Sequence, residues 1–381
     1  MSSEITAGLT LEGLTADPKN DPAAKLLVEA AVGSGEKILI VECGCGALAL
    51  HFAAKFKQVI AHNILFQNDQ STQKLLAEKS IQNVEVKLDD LPRVGNSSEL
   101  SAGSFDALIF RLGRGTALVN TVIEQAFLLL KDGGHFWVSG HNQEGIKSFA
   151  KRAESQFGNQ QIVKIKSSCR LLKYVKTSTS IDLTSEATSQ EYFSKLELEF
   201  SSPSLGVLKY RSKPGIFSYR STDLGTQLFL KYFPTCEGLN VLDLGCGSGI
   251  LSLAAFRMGA KSLLALDANV IATQCTADNF KAHGVPGQVQ CTNLTDGVTK
   301  KFMVIVSNPP FHHGKETDFS FPGKILDSML KCFEESGTIY LVANRFLNYS
   351  DECKKRSLNL KTLADENGYR VYQIQRMLNP A

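Results

Sequence analysis

The sequence predicts an α/β protein of two tandem domains, each a mostly parallel sheet with helices on both faces. Two observations support this prediction. Short apolar runs of strand length alternate with stretches of helical length, and the alternation restarts in the second half after an interruption. The pattern of the first half also recurs in the second half, which indicates an internal repeat. A chain of 381 residues is long enough for two domains of ordinary size.

The first half begins with a helix predicted over 22–32, with Pro22 in its first turn. A glycine-rich turn at 131–134 is expected to separate the last helix of this half from its last strand. The predicted strands lie at 37–42, 59–61, 84–86, 105–110 and 135–139, and the predicted helices at 47–56, 67–80 and 116–130.

The segment 177–205, rich in Thr, Ser and Glu, interrupts this alternation. Apolar and polar residues alternate near 195–200 and 207–210, as in surface strands. We therefore expect the domains to comprise residues 1–195 and 196–381. In the second half, strands are predicted at 239–244, 262–266, 289–291, 302–307 and 338–342, and helices at 223–233, 250–258, 269–283 and about 323–334.

The two halves align when residues 41–46 are placed opposite 242–247. In this alignment Leu48 stands opposite Gly249, and residues 111–113 stand opposite Asn308-Pro309-Pro310. No carboxylate ends the second strand of the first half, where Ala61-His62-Asn63 occurs. The first half is therefore predicted to keep the fold but to have lost the residues of a site.

A glycine loop follows the strand at 239–244. Its pattern is Asp243-x-Gly245-x-Gly247-x-Gly249, with Cys246 between the first two glycines. Glycines allow a tight turn and a close approach of the backbone to a ligand just before a helix. The spacing GxGxG differs from the GxGxxG of dinucleotide sites, and it is typical of S-adenosylmethionine sites. The alternative is a structural turn between strand and helix with no ligand.

Two further polar residues follow the next strands. Asp267 ends a strand twenty residues after Gly247, where an acid can accept both ribose hydroxyls of an adenosine. Asn293 follows the next strand and is predicted to lie beside the adenine. For each of them a helix cap is the alternative interpretation.

The stretch Asn308-Pro309-Pro310-Phe311 follows the buried strand at 302–307. The prolines hold the chain rigid and extended at the end of a strand, where open α/β sheets bind ligands. Asn308 and the carbonyl of Pro309 offer hydrogen-bond acceptors, and Phe311 offers a flat apolar face. This combination suits a planar group that carries an NH2, such as a nucleobase; a purely structural turn is the alternative.

Charge and cysteine content exclude other classes. A net charge of +3 does not indicate a strongly basic nucleic-acid binder. Nine cysteines without a CxxC pair or paired Cys/His spacing indicate reduced thiols in a cytoplasmic protein. No secretion signal or membrane-spanning run is expected. His312 and His313 have no third partner, so no metal is predicted.

Basic residues are concentrated locally. Residues 147–176 contain eight Lys or Arg and one acid, Glu154. This segment could follow RNA phosphates, or it could be an ordinary solvated face. Arg111 and Arg114, at a sheet end of the first half, could bind phosphate or fill the vacated site.

The chain resembles the ribosomal RNA guanine-N2 methyltransferases of the RsmC/RlmG type. The resemblance covers nearly the whole chain, and 113–116 is closer to the small-subunit branch. Met303 departs from the family pattern, in which an Asp is usual. The residues that carry the resemblance are 214–218, 223–228, 241–249, 307–312 and 342–344.

The resemblance implies two tandem Rossmann-like (class I methyltransferase) domains, of which the first lacks the cofactor site and assists substrate binding. It implies methylation of the exocyclic N2 of a guanine in 16S rRNA, with S-adenosylmethionine as cofactor and the small ribosomal subunit as partner. Asn308 and Pro309 would accept the NH2 protons, and Phe311 would stack on the base. A monomer is expected. The alternatives are a protein glutamine N-methyltransferase and a non-catalytic RNA-binding or ribosome assembly factor.

Overall fold

The computed structural model describes residues 16–95, 100–113, 116–177, 192–309, 312–313, 316–317 and 321–377. These residues belong to two compact units, one within residues 12–194 and the other within residues 195–381. Arg114, Pro310 and Phe311, which are candidate site residues predicted from the sequence, lie outside the described residues. No helix of the described residues is long and apolar enough to cross a membrane.

The amino-terminal unit contains a seven-stranded sheet of order β3-β2-β1-β4-β5-β7-β6. Its strands are β1 Gly35–Val41, β2 Phe56–Asn63, β3 Val84–Leu88, β4 Phe105–Arg111, β5 Leu130–His141, β6 Gln161–Lys166 and β7 Cys169–Val175. Its helices are α1 Pro22–Val28, α2 Ala47–Ala53, α3 Phe66–Glu78, α4 Thr116–Leu129 and α5 Ile146–Phe157, with a short 3-10 turn at Asn142–Glu144.

The carboxy-terminal unit contains a second seven-stranded sheet, of order β12-β11-β10-β13-β16-β18-β17, and two small two-stranded sheets. Its strands are β8 Leu196–Ser202, β9 Gly206–Ser212, β10 Asn240–Leu244, β11 Ser262–Asp267, β12 Gly287–Cys291, β13 Phe302–Ser307, β14 His312–His313, β15 Glu316–Thr317, β16 Phe333–Asn344, β17 Leu358–Glu366 and β18 Tyr369–Arg376. Its helices are α6 Leu224–Lys231, α7 Ile250–Arg257, α8 Val270–His283, α9 Phe321–Lys331 and α10 Tyr349–Lys355.

Both large sheets have the same topology. Six of the seven strands run in the same direction, and only β7 in one sheet and β18 in the other run antiparallel to their neighbours. The strand order reverses between β1 and β4 in one unit and between β10 and β13 in the other. In an open α/β sheet this reversal opens a crevice at the carboxyl ends of the strands, and ligands bind there.

Helices cover both faces of the carboxy-terminal sheet. Successive strand residues point to opposite faces, and Val241 and Leu242 accordingly belong to two separate apolar clusters. Phe229 of α6 and Leu253 of α7 pack in the first cluster, and Ile325 of α9 packs in the second. The predicted fold class is therefore confirmed.

Some predicted elements differ from the observed ones. The turn expected at 131–134 lies inside the long strand β5, and the corresponding residues 336–337 lie inside β16. In both cases the strand begins pairing as soon as the preceding helix ends. The glycine-containing residues lie at a register shift near the start of the strand. The sequence pattern did not predict α5, β6, β7, α10, β17 and β18, which complete one edge of each unit.

The alignment of the two halves requires a correction of two residues. Helix α2 starts after Gly46, whose φ is 86°, as α7 starts after Gly249, whose φ is 81°. A threonine hydroxyl supports each turn, because Thr72 Oγ1 donates to Gly44 O at 2.9 Å and Thr276 Oγ1 donates to Gly247 O at 3.0 Å. Gly46 is thus the counterpart of Gly249, and the expectation that Leu48 takes that position was wrong.

The corrected register shows which site residues the amino-terminal unit lacks. Ile40 stands where the other unit has Asp243, since each pairs with an alanine of the neighbouring strand at the same register. Glu42, with a φ of 54°, takes the left-handed position of Gly245. Asn63 replaces Asp267, because Gly44 N donates to Asn63 Oδ1 at 2.8 Å. The predicted absence of a carboxylate after β2 is confirmed by Asn63, whereas the replacements of Asp243 by Ile40 and of Gly245 by Glu42 were not predicted from the sequence.

Candidate active site

The glycine loop after β10 is a left-handed turn. Gly245, Gly247 and Gly249 have φ values of 78°, 56° and 81°, which side chains other than glycine rarely adopt. A Cβ on Gly249 would also lie 2.9 Å from Thr276 Cγ2. The turn therefore presents bare backbone at the carboxyl end of the sheet, immediately before α7.

Two backbone hydrogen bonds hold this loop against β11. Gly245 N and Cys246 N both donate to Leu266 O, at 2.8 and 2.9 Å. The Cys246 side chain is buried in the apolar core, where burial raises the pKa of its thiol well above the usual value. Cys246 can therefore face a ligand only through its backbone.

Asp267 ends β11 beside the loop. Its Oδ2 accepts from Gly247 N at 3.0 Å and its Oδ1 accepts from Asn269 N at 2.9 Å. Burial raises the pKa of Asp267 to about 6, although these N–H groups act in the opposite direction. A carboxylate oxygen has two lone pairs, so each can still accept a hydroxyl. The helix cap of α8 is Asn269, which excludes Asp267 from that role.

Two buried oxygens at these strand ends have no hydrogen-bond partner among the described residues. Asp243 is fully buried; Ser252 Oγ donates to its Oδ2 at 2.6 Å, and its Oδ1 is unpaired. Burial raises the pKa of Asp243 to about 7. The Asn293 Oδ1 is likewise buried and unpaired. Unpaired buried acceptors are costly, so both atoms favour a ligand that donates hydrogen bonds.

Asn293 is not a helix cap in the structure. A turn follows it, in which Asp296 N donates to Asn293 O at 3.0 Å, and no helix of the described residues begins there. Its Nδ2 lies 3.5 Å from Asp296 Oδ2, which leaves the Oδ1 as the atom available to a ligand.

Asn308 follows β13, the strand on the other side of β10. Its Nδ2 donates to Asp223 Oδ2 at 3.1 Å and to Thr226 Oγ1 at 2.7 Å. Asp223 is the N-cap of α6 and accepts from Thr226 N at 3.0 Å. The amide nitrogen therefore faces the start of α6, and its oxygen accepts no hydrogen bond from the described residues. Pro309 is buried next to it.

The segment after β9 contacts the same strand ends. Asn269 Nδ2 donates to Gly215 O at 2.7 Å, and Ile216, itself buried, lies near Gly247. Asn279 Nδ2 donates to Ser248 O at 2.8 Å and also binds the end of β9. No role for Asn269 or Asn279 was predicted from the sequence. Asn279 lies on α8 and Asn269 precedes that helix as its N-cap, and both are buried.

The structure thus brings the predicted residues of three neighbouring strands to one sheet edge. They comprise the glycine loop after β10, Asp267 after β11 and Asn308-Pro309 after β13. Asp223 and Thr226, for which the sequence predicted no role, complete the surroundings of Asn308.

The basic residues of the amino-terminal unit are partly engaged. Lys164 pairs with Glu29 at 2.8 Å, Lys173 lies over the Trp137 ring and Lys176 Nζ donates to Leu130 O. The guanidinium of Arg111 donates to two carboxylates, so Arg111 fills the vacated strand end rather than remaining open to phosphate.

A Rossmann-like sheet, a GxGxG turn with a strand-end acid and an Asn-Pro strand end together define a methyltransferase. The model of the methyltransferase small domain family matches residues 8–173 and again 207–373. The chain therefore belongs to this family, and within it to the ribosomal RNA small subunit methyltransferase C group, as the following relatives show. The resemblance and the enzyme class predicted from the sequence are confirmed.

A ribosomal RNA small subunit methyltransferase C of Pseudoalteromonas atlantica is 30% identical over 276 residues, which cover 72% of this chain and 78% of the relative. The protein of the same name from Shewanella baltica is 30% identical over 288 residues, or 75% and 80% of the two chains. A 16S rRNA guanine N2 methyltransferase of T. thermophilus, solved with AdoMet and guanosine, has a TM-score of 0.78. At 24% identity it covers 96% of this chain and 94% of its own, and it shares the fold.

Proposed function

We propose that this protein methylates the exocyclic N2 of a guanine in 16S rRNA, with S-adenosylmethionine as the methyl donor. The relatives named above carry the substrate assignment, since their names specify the small subunit and its RNA. The observation that carries the chemistry is the orientation of Asn308. Its NH2 is held by Asp223 and Thr226, which leaves its oxygen to accept protons from an amino group.

The hydrogen-bond acceptors at the sheet edge fit S-adenosylmethionine. Ribose hydroxyls suit Asp267, and an adenine NH2 suits the unpaired Oδ1 of Asn293. Asp243, with its unpaired Oδ1, and the bare backbone of the glycine loop complete the proposed site. When bound, this cofactor supplies a methyl group on a sulfonium, which is a good leaving group.

Asn308 and Pro309 are proposed to orient the guanine. The Asn308 Oδ1 and the Pro309 carbonyl would each accept one proton of the exocyclic NH2, which aims the nitrogen lone pair at the methyl group. Rate enhancement by such positioning needs neither a metal nor a strong base near the nitrogen. Phe311 and Pro310 keep their predicted roles, stacking on the base and holding the chain rigid. A base reached in this way must be unpaired or flipped out of its helix.

The amino-terminal unit is proposed to have a structural and RNA-binding role without a cofactor. Ile40, Glu42 and Asn63 replace the three residues that a cofactor would need, as described above. The basic segment 147–176 could contribute to RNA binding through those of its charges that remain exposed. We propose a cytoplasmic monomer that acts without a metal ion.

Transfer of labelled methyl groups tests this function. The protein is incubated with labelled S-adenosylmethionine and with 16S rRNA, small subunits or large subunits, and the modified nucleoside is identified after digestion. N2-methylguanine in 16S rRNA is the expected product. Label in a ribosomal protein would instead support glutamine methylation. RNA binding with no label in any substrate would support an assembly factor.

A further inference from the structure

We infer that Asp223 and Thr226 are positioning residues for methyl transfer, which fix the face that the Asn308 amide presents to its substrate. This inference rests on the proposed function and deepens it. The two halves of a planar amide, oxygen and NH2, have nearly the same size, so packing alone cannot select between them. If the Asn308 amide turned over, its NH2 would meet the NH2 of the substrate, and a donor would face a donor.

A carboxylate settles the orientation because it only accepts hydrogen bonds. Asp223 Oδ2 lies 3.1 Å from the Asn308 nitrogen, so the NH2 must face it. The same oxygen accepts from Thr226 N at 3.0 Å, which holds the carboxylate in place at the start of α6. Asp223 thus combines a helix cap with the selection of the amide face.

Thr226 supplies the second acceptor. Its Oγ1 lies 2.7 Å from the Asn308 Nδ2 and 3.5 Å from Asp223 Oδ2. With its proton directed at the carboxylate, the hydroxyl has lone pairs left for the amide NH2. Both protons of the Asn308 NH2 therefore have acceptors, and a turned amide would lose its hydrogen bond to Asp223 and place its oxygen beside that carboxylate.

The Tyr369 side chain also interacts with the Asp223 carboxylate. Burial raises the pKa of Tyr369, and the negative charge of Asp223 raises it further, so the phenol stays neutral. A Cβ on Gly225 would lie 2.8 Å from the Tyr369 ring, so the glycine lets the ring approach the helix start. The Asp223 carboxylate is thus part-buried between Tyr369 and Asn308.

The amino-terminal unit shows which part of this arrangement belongs to the fold alone. There the N-cap of α1 is again an aspartate, Asp21, and it too contacts the residue that ends the neighbouring strand. The position of Thr226 is taken by Ala24, and the strand-end residue is Arg111. The aspartate N-cap is therefore present in both units. Among the described residues, the Thr226 hydroxyl and the Asn308 amide occur together only in the unit with the glycine loop and Asp267.

The test compares two substitutions at each of two positions. Thr226→Val removes the hydroxyl at nearly constant volume, and Thr226→Ser restores it. Asp223→Asn keeps a good N-cap but introduces a donor, so the amide orientation is no longer fixed. Asp21→Asn is the matched control, because it makes the same change at the equivalent cap of the amino-terminal unit.

We expect Thr226→Val and Asp223→Asn to lower kcat about 10- to 100-fold, because misoriented reacting groups cost rates of this order. Affinity for S-adenosylhomocysteine, measured by calorimetry, should stay within about twofold, since neither residue belongs to the cofactor site. Thr226→Ser and Asp21→Asn should keep the wild-type kcat. Unchanged kcat in both test variants, or an equal loss with Asp21→Asn, would overturn the inference.

A second measurement needs no RNA substrate. In protein labelled with isotopic asparagine, the Asn308 side-chain NH2 is identified by NMR from its loss in Asn308→Ala. Its hydrogen exchange should be slow in the wild type and in Thr226→Ser, and faster in Thr226→Val and Asp223→Asn. If the wild-type protein did not methylate rRNA, the proposed function would be refuted, but the exchange measurement would still test the positioning role of Asp223 and Thr226. Equal exchange rates in all variants would refute that positioning role.

Discussion

Arg111 Nε donates a hydrogen bond of 2.7 Å to Asp21 Oδ2, at the position where Asn308 meets Asp223 in the other unit. The guanidinium also donates to Glu144, at 2.7 and 3.0 Å, and only 16% of its side chain is exposed. Two carboxylates and one guanidinium thus occupy the end of β4, whereas Asn308 follows the equivalent end of β13. The same topology is used for stability in one unit and for chemistry in the other.

Removal of this guanidinium should destabilise the amino-terminal unit. Arg111→Ala would leave Asp21 and Glu144 facing each other with no cation, at a cost of about 2–4 kcal/mol in the free energy of unfolding. Urea unfolding, followed by probes of each unit, measures this change. Lys57→Ala is the control: its pair with Glu36 is mostly exposed, so about 0–1 kcal/mol is expected. Equal effects of the two substitutions would contradict the structural role of Arg111.

Substitution of Asn308 should separate catalysis from cofactor binding. Asn308→Ala removes the acceptor proposed for the substrate amino group, and we expect kcat for rRNA methylation to fall about 100-fold or more. The glycine loop and Asp267 are unchanged, so calorimetry should give an affinity for S-adenosylhomocysteine close to that of the wild type. Wild-type turnover in this variant would refute the role of Asn308.

The sequence could predict the strand ends because each is marked locally. Apolar runs identified β10, β11 and β13, and the residues directly after them proved to lie at one sheet edge. The contact between Asn308 and Asp223 could not be predicted from spacing, because it joins residues 85 positions apart through the fold. The local sequence around Asp223 indicates only a helix cap, and Asp223 has that role as well.

The error in aligning the two halves has a similar origin. The letters G-C-G occur at 44–46 and at 245–247, and matching them placed Gly46 opposite Gly247. In the structure, the residue at which the helix starts and the threonine hydroxyl that supports the turn are the same in both units. These two features place Gly46 opposite Gly249. Letters repeated at short spacing allow several registers, and only hydrogen bonds between distant residues select one.

Gly249 should tolerate no side chain. Gly249→Ala would force a left-handed residue and bring its Cβ to 2.9 Å from Thr276 Cγ2, which together should cost about 2–4 kcal/mol and displace the loop. Gly238→Ala is a matched control, because Gly238 has a φ of 69° and no atom near its added Cβ. It should cost about 1 kcal/mol and leave S-adenosylhomocysteine binding intact. Thermal unfolding and calorimetry measure both effects; loss of binding in Gly238→Ala as well would refute a local cause.

The pKa of Asp267 predicts how cofactor affinity depends on pH. Burial raises this pKa to about 6 in the free protein, so the carboxylate becomes protonated as the pH falls through 6. Ribose hydroxyls would donate to the ionised form and therefore favour it, which means that binding below about pH 6 must release a proton. Affinity for S-adenosylhomocysteine should consequently fall about tenfold between pH 7 and pH 5.

Calorimetry in buffers of different ionisation enthalpy measures both the affinity and the released proton. Asp267→Asn should bind more weakly at pH 7, and its affinity should lose the component of the pH dependence centred near 6. Asp243, whose pKa burial raises to about 7, titrates separately and is examined with Asp243→Asn. Asp267→Asn has no ionisable group at that strand end. If proton release below pH 6 persisted unchanged in this variant, the proton would come from another group, and the ribose contact assigned to Asp267 would be wrong.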